Sequence, residues 1–188
     1  MKIMSESIAD SISLNYDIEE FNDISELDKV EELAINSYNY SLDIASFYPN
    51  ELSYFKNLRE CTFMNFEITD EIVDNLNKIN LKVLSLDNCR CIINNRLSVD
   101  RLFVEVSNVN FKNICVKELT VLESGTIDIS DLNDLSELTL LNCNIVNSSL
   151  LKNFKDCKIE LVGCTLDDDS VKELENVKYD PNRYFKII

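Results

Sequence analysis

The chain has no histidine and no tryptophan, and only two glycines and two prolines in 188 residues. Without histidine, neither a Ser-His-Asp nor a Cys-His pair can be assembled, and imidazole is missing both as metal ligand and as proton shuttle. Two glycines cannot supply a glycine-rich phosphate-cradling loop, and they exclude collagen-like and low-complexity chains. Positive charge is scarce as well: 18 Lys and Arg face 34 Asp and Glu, a formal charge of −16. That charge repels phosphate backbones and the basic residues do not cluster along the sequence, so direct non-specific nucleic-acid binding is not expected. Long apolar runs are missing too. The longest charge-free stretch, residues 138–151, is interrupted by Asn142, Asn144, Asn147, Ser148 and Ser149, which rules out a bilayer span. Residues 1–10 hold Glu6 and Asp10 where a signal peptide would need an apolar run. The expectation is a cytoplasmic or nuclear protein that meets no membrane.

Hydrophobic residues make up 45% of the chain, enough to bury a core, and the length fits one domain over residues 1–188. The seven cysteines are odd in number and lack disulfide-like spacing, which points to reduced thiols. The dominant feature is self-similarity. Leu135, Leu138, Leu140, Cys143 and Ile145 spell L-x-x-L-x-L-x-x-C-x-I. The frame recurs at Leu81, Leu84, Leu86, Cys89 and Cys91, and at Leu58, Cys61, Phe63, Phe66 and Ile68. Weaker copies are Val30, Leu33, Ile35, Tyr38 and Tyr40; Val99, Leu102, Val104, Ser107 and Val109; and Val116, Leu119, Val121, Ser124 and Thr126. A last copy runs through Asp156, Ile159, Leu161, Cys164 and Leu166. The starts at 30, 58, 81, 99, 116, 135 and 156 are separated by 28, 23, 18, 17, 19 and 21 residues. Positions 4 and 6 are two apart and apolar in every copy, so in a strand they share one face that a single unit cannot bury alone.

This frame resembles the leucine-rich repeat family, over residues 30–166 at least. The resemblance implies an α/β fold of the solenoid kind: a curved parallel sheet on the concave side, with short helices and 3₁₀ turns returning on the convex side. It places an N-terminal cap or extra coil over residues 1–29, with Ile12 and Leu14 as its apolar pair, and seven repeats over residues 30–166. A C-terminal cap helix and strand follow over residues 167–188, the strand using Phe185 and Ile187. Position 9 is expected to be small and polar so that it satisfies backbone groups where the chain leaves the strand. Cys89, Cys143, Cys164, Ser107 and Ser124 fit, while Phe66 and Tyr38 depart. Residues 69–76 and 167–174 each put a capping residue and acids ahead of apolar positions three or four apart, which predicts helices. Both are similar to the cysteine-containing repeats of F-box and related adaptor proteins. The middle units of 17 to 19 residues are too short for a helix and should return through 3₁₀ turns or extended chain. A doubly wound α/β domain is the rival architecture, disfavoured by the scarcity of glycine and by the single persistent frame.

Candidate chemistry is thin. Cys61, Cys89 and Cys91 could be imagined as a thiolate cluster, but their frame positions read better as buried small hydrophobes. Asp167, Asp168 and Asp169 lack the glycine and distal glutamate of a calcium loop and read better as acids at a helix start. No carboxylate pair stands out as a general acid and base. No catalytic residue, metal or cofactor is assigned, and no small-molecule ligand is expected.

Positions 2, 3, 5, 7 and 8 are expected to face outward on the concave side. Met64, Phe103, Val106, Leu122, Leu141 and Val162 then form an apolar stripe of the kind that marks interaction sites. Around it sit Asp87, Glu105, Glu118, Glu137 and Glu160, with Arg101 among the few bases. Across the seven copies these positions hold ten acids and five bases, −5 over 35 positions, against −11 over the other 153. The functional expectation is a non-enzymatic module that binds another protein, one with a basic surface and apolar anchors. Alternatives are a substrate-recognition subunit of a ubiquitin-ligase-type complex, a regulator of a GTPase, with Arg59 or Arg101 as the supporting basic residue, or of a phosphatase, and a stoichiometric subunit of a large assembly.

Overall fold

A computed structural model describes residues 3–16, 27–39 and 41–184. The repeat frame sets its architecture. Positions 4 and 6 of every copy, from Leu33 and Ile35 to Ile159 and Leu161, are at most 2% exposed and form the inward side of a mixed α/β fold. Each copy contributes one strand to an eight-stranded sheet: β1 (Glu32–Asn36), β2 (Glu60–Met64), β4 (Val83–Asp87), β6 (Leu97–Glu105), β7 (Ile114–Leu122), β9 (Glu137–Leu141) and β11 (Lys158–Val162), followed by β13 (Val177–Asp180). All seven pairings are parallel; six join consecutive copies with equal frame positions in register, and the seventh adds β13 to β11. Short second strands follow the turn in five copies. β3 (Glu67–Thr69) pairs with β5 (Arg90–Ile92), and β8 (Thr126–Asp128), β10 (Asn144–Val146) and β12 (Thr165–Leu166) form a separate three-stranded ladder.

Return segments follow unit length. The 23-residue second copy has room for helix α2 (Asp70–Leu76), whose Ile72, Val73 and Leu76 are buried. The shorter fourth and fifth copies return through 3₁₀ turns at Phe111–Asn113 and Ile129–Asp131, as expected. The predicted helix over residues 167–174 is instead a 3₁₀ turn, Asp169–Glu173. Its three acids serve separate local purposes there. Asp167 accepts from the N–H groups of Asn147 and Ser148 and from the Ser148 hydroxyl, Asp168 caps the Ser170 N–H, and Asp169 pairs with Lys172.

Ile12 and Leu14 lie not on a strand but on helix α1 (Glu6–Asn15), where Ile12 is buried and Leu14 is 66% exposed. This helix covers the free edge of β1 with side-chain partners in place of a neighbouring strand. Ser11 Oγ accepts from the Ala34 N–H at 2.8 Å, and the Tyr16 hydroxyl accepts from Glu31 and Glu32 at 3.1 and 3.0 Å. The buried Glu51 holds the helix entrance through the N–H groups of Met4 and Ser5 and the Ser5 hydroxyl. β13 is a further departure, since the expected terminal strand around Phe185 and Ile187, like Tyr40, lies outside the described residues. Among those residues no helix is long and apolar enough to cross a membrane.

Candidate protein-binding face

The outer side of the sheet is bordered by a turn that repeats after six of its eight strands. At position 9, the thiols of Cys89, Cys143 and Cys164 and the hydroxyl of Ser107 each donate toward two backbone carbonyls. One is position 7 of the same copy and the other is position 6 of the preceding copy. This is the backbone role expected of a small polar group. Where Phe66 replaces it, the space is filled by an edge-to-face triad with Phe47 and Phe63, with ring centroids 5.2–5.6 Å apart. Burial pushes the Cys61 and Cys89 thiols up, and Cys91 up to about 12. Cys143 is held protonated by its neighbour Cys164 and by burial. Thiols held in this form are poor nucleophiles and poor metal ligands.

Position 8 carries a feature that the apolar pattern does not reveal. Asn65, Asn88, Val106, Glu123, Asn142 and Gly163 all have φ between 46° and 63°, a left-handed turn at the same frame position in six copies. Their backbone N–H groups donate to the position 7 carbonyl of the next strand at 2.8–3.0 Å. In the first copies the side chains form a second ladder: Asn65 Nδ2 donates to Asn36 Oδ1 at 3.0 Å, and Asn88 Nδ2 to Asn65 Oδ1 at 2.7 Å. The recurrence of Asn and Gly at position 8 was the available signal, because these residues tolerate positive φ.

The predicted apolar stripe is divided. Leu122, Leu141 and Val162 are register partners on β7, β9 and β11, so they are contiguous, and each is half-buried. Met64 stands in the same row but is separated from them by Asp87 and Glu105; it lines a groove with Leu14 and Tyr38 instead. Phe103 belongs to the neighbouring row, between Ser85 and Thr120, and is 41% exposed. Val106 is on the turn and 53% exposed. The chain after β13 folds back over the turns beside Leu141 and Val162. The Asn142 amide exchanges two 2.8 Å hydrogen bonds with the backbone of Tyr184, and Arg183 reaches Glu123 at 3.6 Å. Two positions expected to face outward are buried, Val83 at 8% and Cys157 at 2% exposure. Cys157 takes the inward place that the polar Asp156 cannot fill.

The acidic surround is also uneven. Glu118 pairs with Arg101, Glu137 with Lys158 and Glu160 with Lys178, each across one strand spacing. Asp100 lies between Lys82 and Lys117, which hold its carboxyl below the usual carboxylate range. These exposed pairs contribute little stability, but they neutralise the face from β7 to β13. The remaining excess collects at Glu31, Glu32 and Glu60, which line a cleft of about 470 Å³ with Lys29 and Tyr16, and at Asp87. A cleft of about 570 Å³ between the return segments, lined by Leu132, Leu150, Phe154 and Cys157, lies away from this face. Burial pushes Cys157 up to about 11, so the cleft holds no activated thiol. Comparison of the chain with family models, with curated proteins and with solved structures gives no match.

Proposed function

We propose that the chain is a leucine-rich-repeat-type solenoid acting as a non-enzymatic binding module for another protein, which it meets on the outer face of the large sheet. The solenoid reading is supported by eight parallel strands whose neighbours follow chain order, and by position 9 side chains that bridge one copy to the next. The binding reading rests on one observation: Phe103 and Val106 stay exposed beside the contiguous row Leu122, Leu141 and Val162. An apolar row one strand spacing apart, about 4.8 Å per step, presents a surface that a partner side chain can cover while excluding water. The acids toward β1 favour a partner with a basic surface, and encounter with such a partner is accelerated at low salt.

The test uses the protein that the chain retains from native extract, identified by mass spectrometry, with its affinity then measured directly. Replacing Phe103 and Leu141 by Ser should weaken binding by more than about tenfold, whereas replacing Asn153 on the return side should leave it unchanged. Equal binding by the face variant would overturn the proposal.

A further inference from the structure

The first repeat unit spans 28 residues where the next five span 17 to 23, and part of the surplus forms a loop after β1, residues 37–46. Loops that outgrow their fold are where binding residues concentrate. This one is tied down at both ends. Asn39 Oδ1 accepts from the Ser41 and Asp43 N–H groups at 2.9 and 3.1 Å, the Leu42 N–H donates to the Asn39 carbonyl at 2.9 Å, and Tyr38 and Ile44 form an antiparallel bridge. The far side is clamped to the start of α1. The Ser46 carbonyl accepts from the Ser7 N–H at 3.2 Å, and the Ser46 N–H donates to Glu6 Oε2 at 3.1 Å. Ala45 is buried and Phe47 joins the ring triad, while Leu42 and Ile44 turn outward, 79% and 82% exposed.

Folding alone does not account for that arrangement. Leu42 has φ of 65°, an outlier for a bulky side chain, and most other positive-φ positions of the chain hold Asn, Asp or Gly. Among the described residues ten large apolar side chains are exposed. Six of them, Met4, Leu14, Tyr38, Leu42, Ile44 and Tyr48, belong to this loop and the neighbouring N-terminal segment. Scattered singly, such residues mean little; grouped on a rigid element that includes a strained one, they mark an interaction site. Residues 3–16 and 37–48 also hold Glu6, Asp10 and Asp43 and not one Lys or Arg.

We propose that this loop is a docking knob, whose Leu42 and Ile44 enter an apolar pocket on a partner protein with lysine or arginine at the pocket's rim facing Asp43 and Asp10. The contact lies at the N-terminal end of the fold and does not rest on the reading of the outer sheet face. A preformed loop enters a pocket without the ordering cost of a flexible one, and its base-free acidic surround steers a basic partner toward it. The same charge opposes a second copy of this chain, which would bring its own acids and its −16 to the contact, and it opposes an anionic lipid surface.

The test places a photo-crosslinking side chain in the full chain in native extract, in place of Ser41 beside the knob or, as control, in place of Asn153 on the return side. Position 41 should give a discrete adduct that position 153 does not, mapped by mass spectrometry to an apolar pocket with Lys or Arg beside it. The purified adduct protein should lose about tenfold or more in affinity for Leu42→Asn and for Ile44→Ser, and bind more weakly as salt rises. Asparagine suits positive φ, so Leu42→Asn should keep or raise the melting temperature and lost binding would not reflect unfolding. No adduct specific to position 41, or an affinity indifferent to both substitutions, would overturn the knob. Affinity lost in Leu141→Ser but kept in Leu42→Asn would overturn the knob and leave the sheet face; the reverse result would leave the knob and overturn the sheet face. An adduct to a second copy, or binding of the chain to neutral phosphatidylcholine vesicles that Leu42→Asn abolishes, would overturn the assigned occupant.

Discussion

Replacing Val106 by Asn should stabilise the protein, and the magnitude follows from its surroundings. A non-glycine residue in left-handed backbone costs about 1–2 kcal/mol, and asparagine relieves most of that because it visits the region readily. The new amide can extend the ladder toward Asn88, whose own amide already donates to Asn65 at 2.7 Å; a side-chain hydrogen bond contributes about 0.5–1.5 kcal/mol net. Against this stands the lost apolar contact. Full burial of valine, the smallest of the large apolar side chains, is worth about 1.5 kcal/mol, and Val106 is 53% exposed, so the loss stays under about 1 kcal/mol. The balance is a gain of about 1–2 kcal/mol, or about 2–8 °C in Tm for a chain of this size. Thermal and urea unfolding measure it, with an unchanged denaturant slope showing that only stability moved. The reverse substitution, Asn88→Val, should lose about 1–3 kcal/mol because it adds the strain and removes the bond. A Val106→Asn protein no more stable than the parent, together with an Asn88→Val protein no less stable, would refute the reasoning.

Other expectations follow from the same geometry. Ser107→Cys should change stability by less than about 1 kcal/mol, because thiols fill the equivalent place in three other copies, whereas Ser107→Ala should cost about 1–3 kcal/mol by leaving its hydrogen-bond partners unsatisfied; urea midpoints separate the two. Glu51→Ala should cost about 2–4 kcal/mol and loosen α1, seen as faster hydrogen exchange at Ala34. Gly163→Ala combines φ of 63° with a new Cβ 2.9 Å from Arg183 Cα, so it should release residues 182–184 and speed tryptic cleavage after Arg183. Hydrogen bonds from the Asn95 and Asn94 backbone and the Asn94 side chain hold the Asp70 carboxyl below the usual carboxylate range. Its contribution is therefore present above the unfolded-state value of about 3.9 and lost as pH falls further, through the lower folded value. The stability gap between the parent and Asp70→Asn should close on acidification through that window, and a gap that widens there would contradict the assignment.

The sheet was legible because positions 4 and 6 report a single physical demand: both must be apolar for consecutive units to bury each other, and two glycines left few rival folds. Position 9 was legible for the same kind of reason, since a small polar side chain serves one backbone geometry in every copy. What escaped was set by side chains acting between copies. Lys178, which pairs with Glu160, and Arg183, which pairs with Glu123, lie outside the counted positions, so counting charge by position overstated what is left on the C-terminal half. The apolar stripe was read as continuous because Asp87 and Glu105 were assigned to its rim, whereas register places them inside the row. Frame spacing was taken too rigidly at Thr126, which is exposed. Gly125 lengthens that turn by one residue, and Ile127 points inward instead. Ile12 and Leu14 were read as the apolar pair of a cap or extra coil without the helix being recognised, because two alternating apolar residues are too short a pattern to separate strand from helix.

Hydroxyl-radical footprinting of the chain alone and in complex with the protein it retains from extract tests the central claim most directly. The account predicts protection at Phe103, Val106, Leu122 and Leu141, with the return-side residues Leu150 and Phe154 unchanged. Protection confined to the return side, with the outer face of the sheet as reactive as in the free chain, would contradict it.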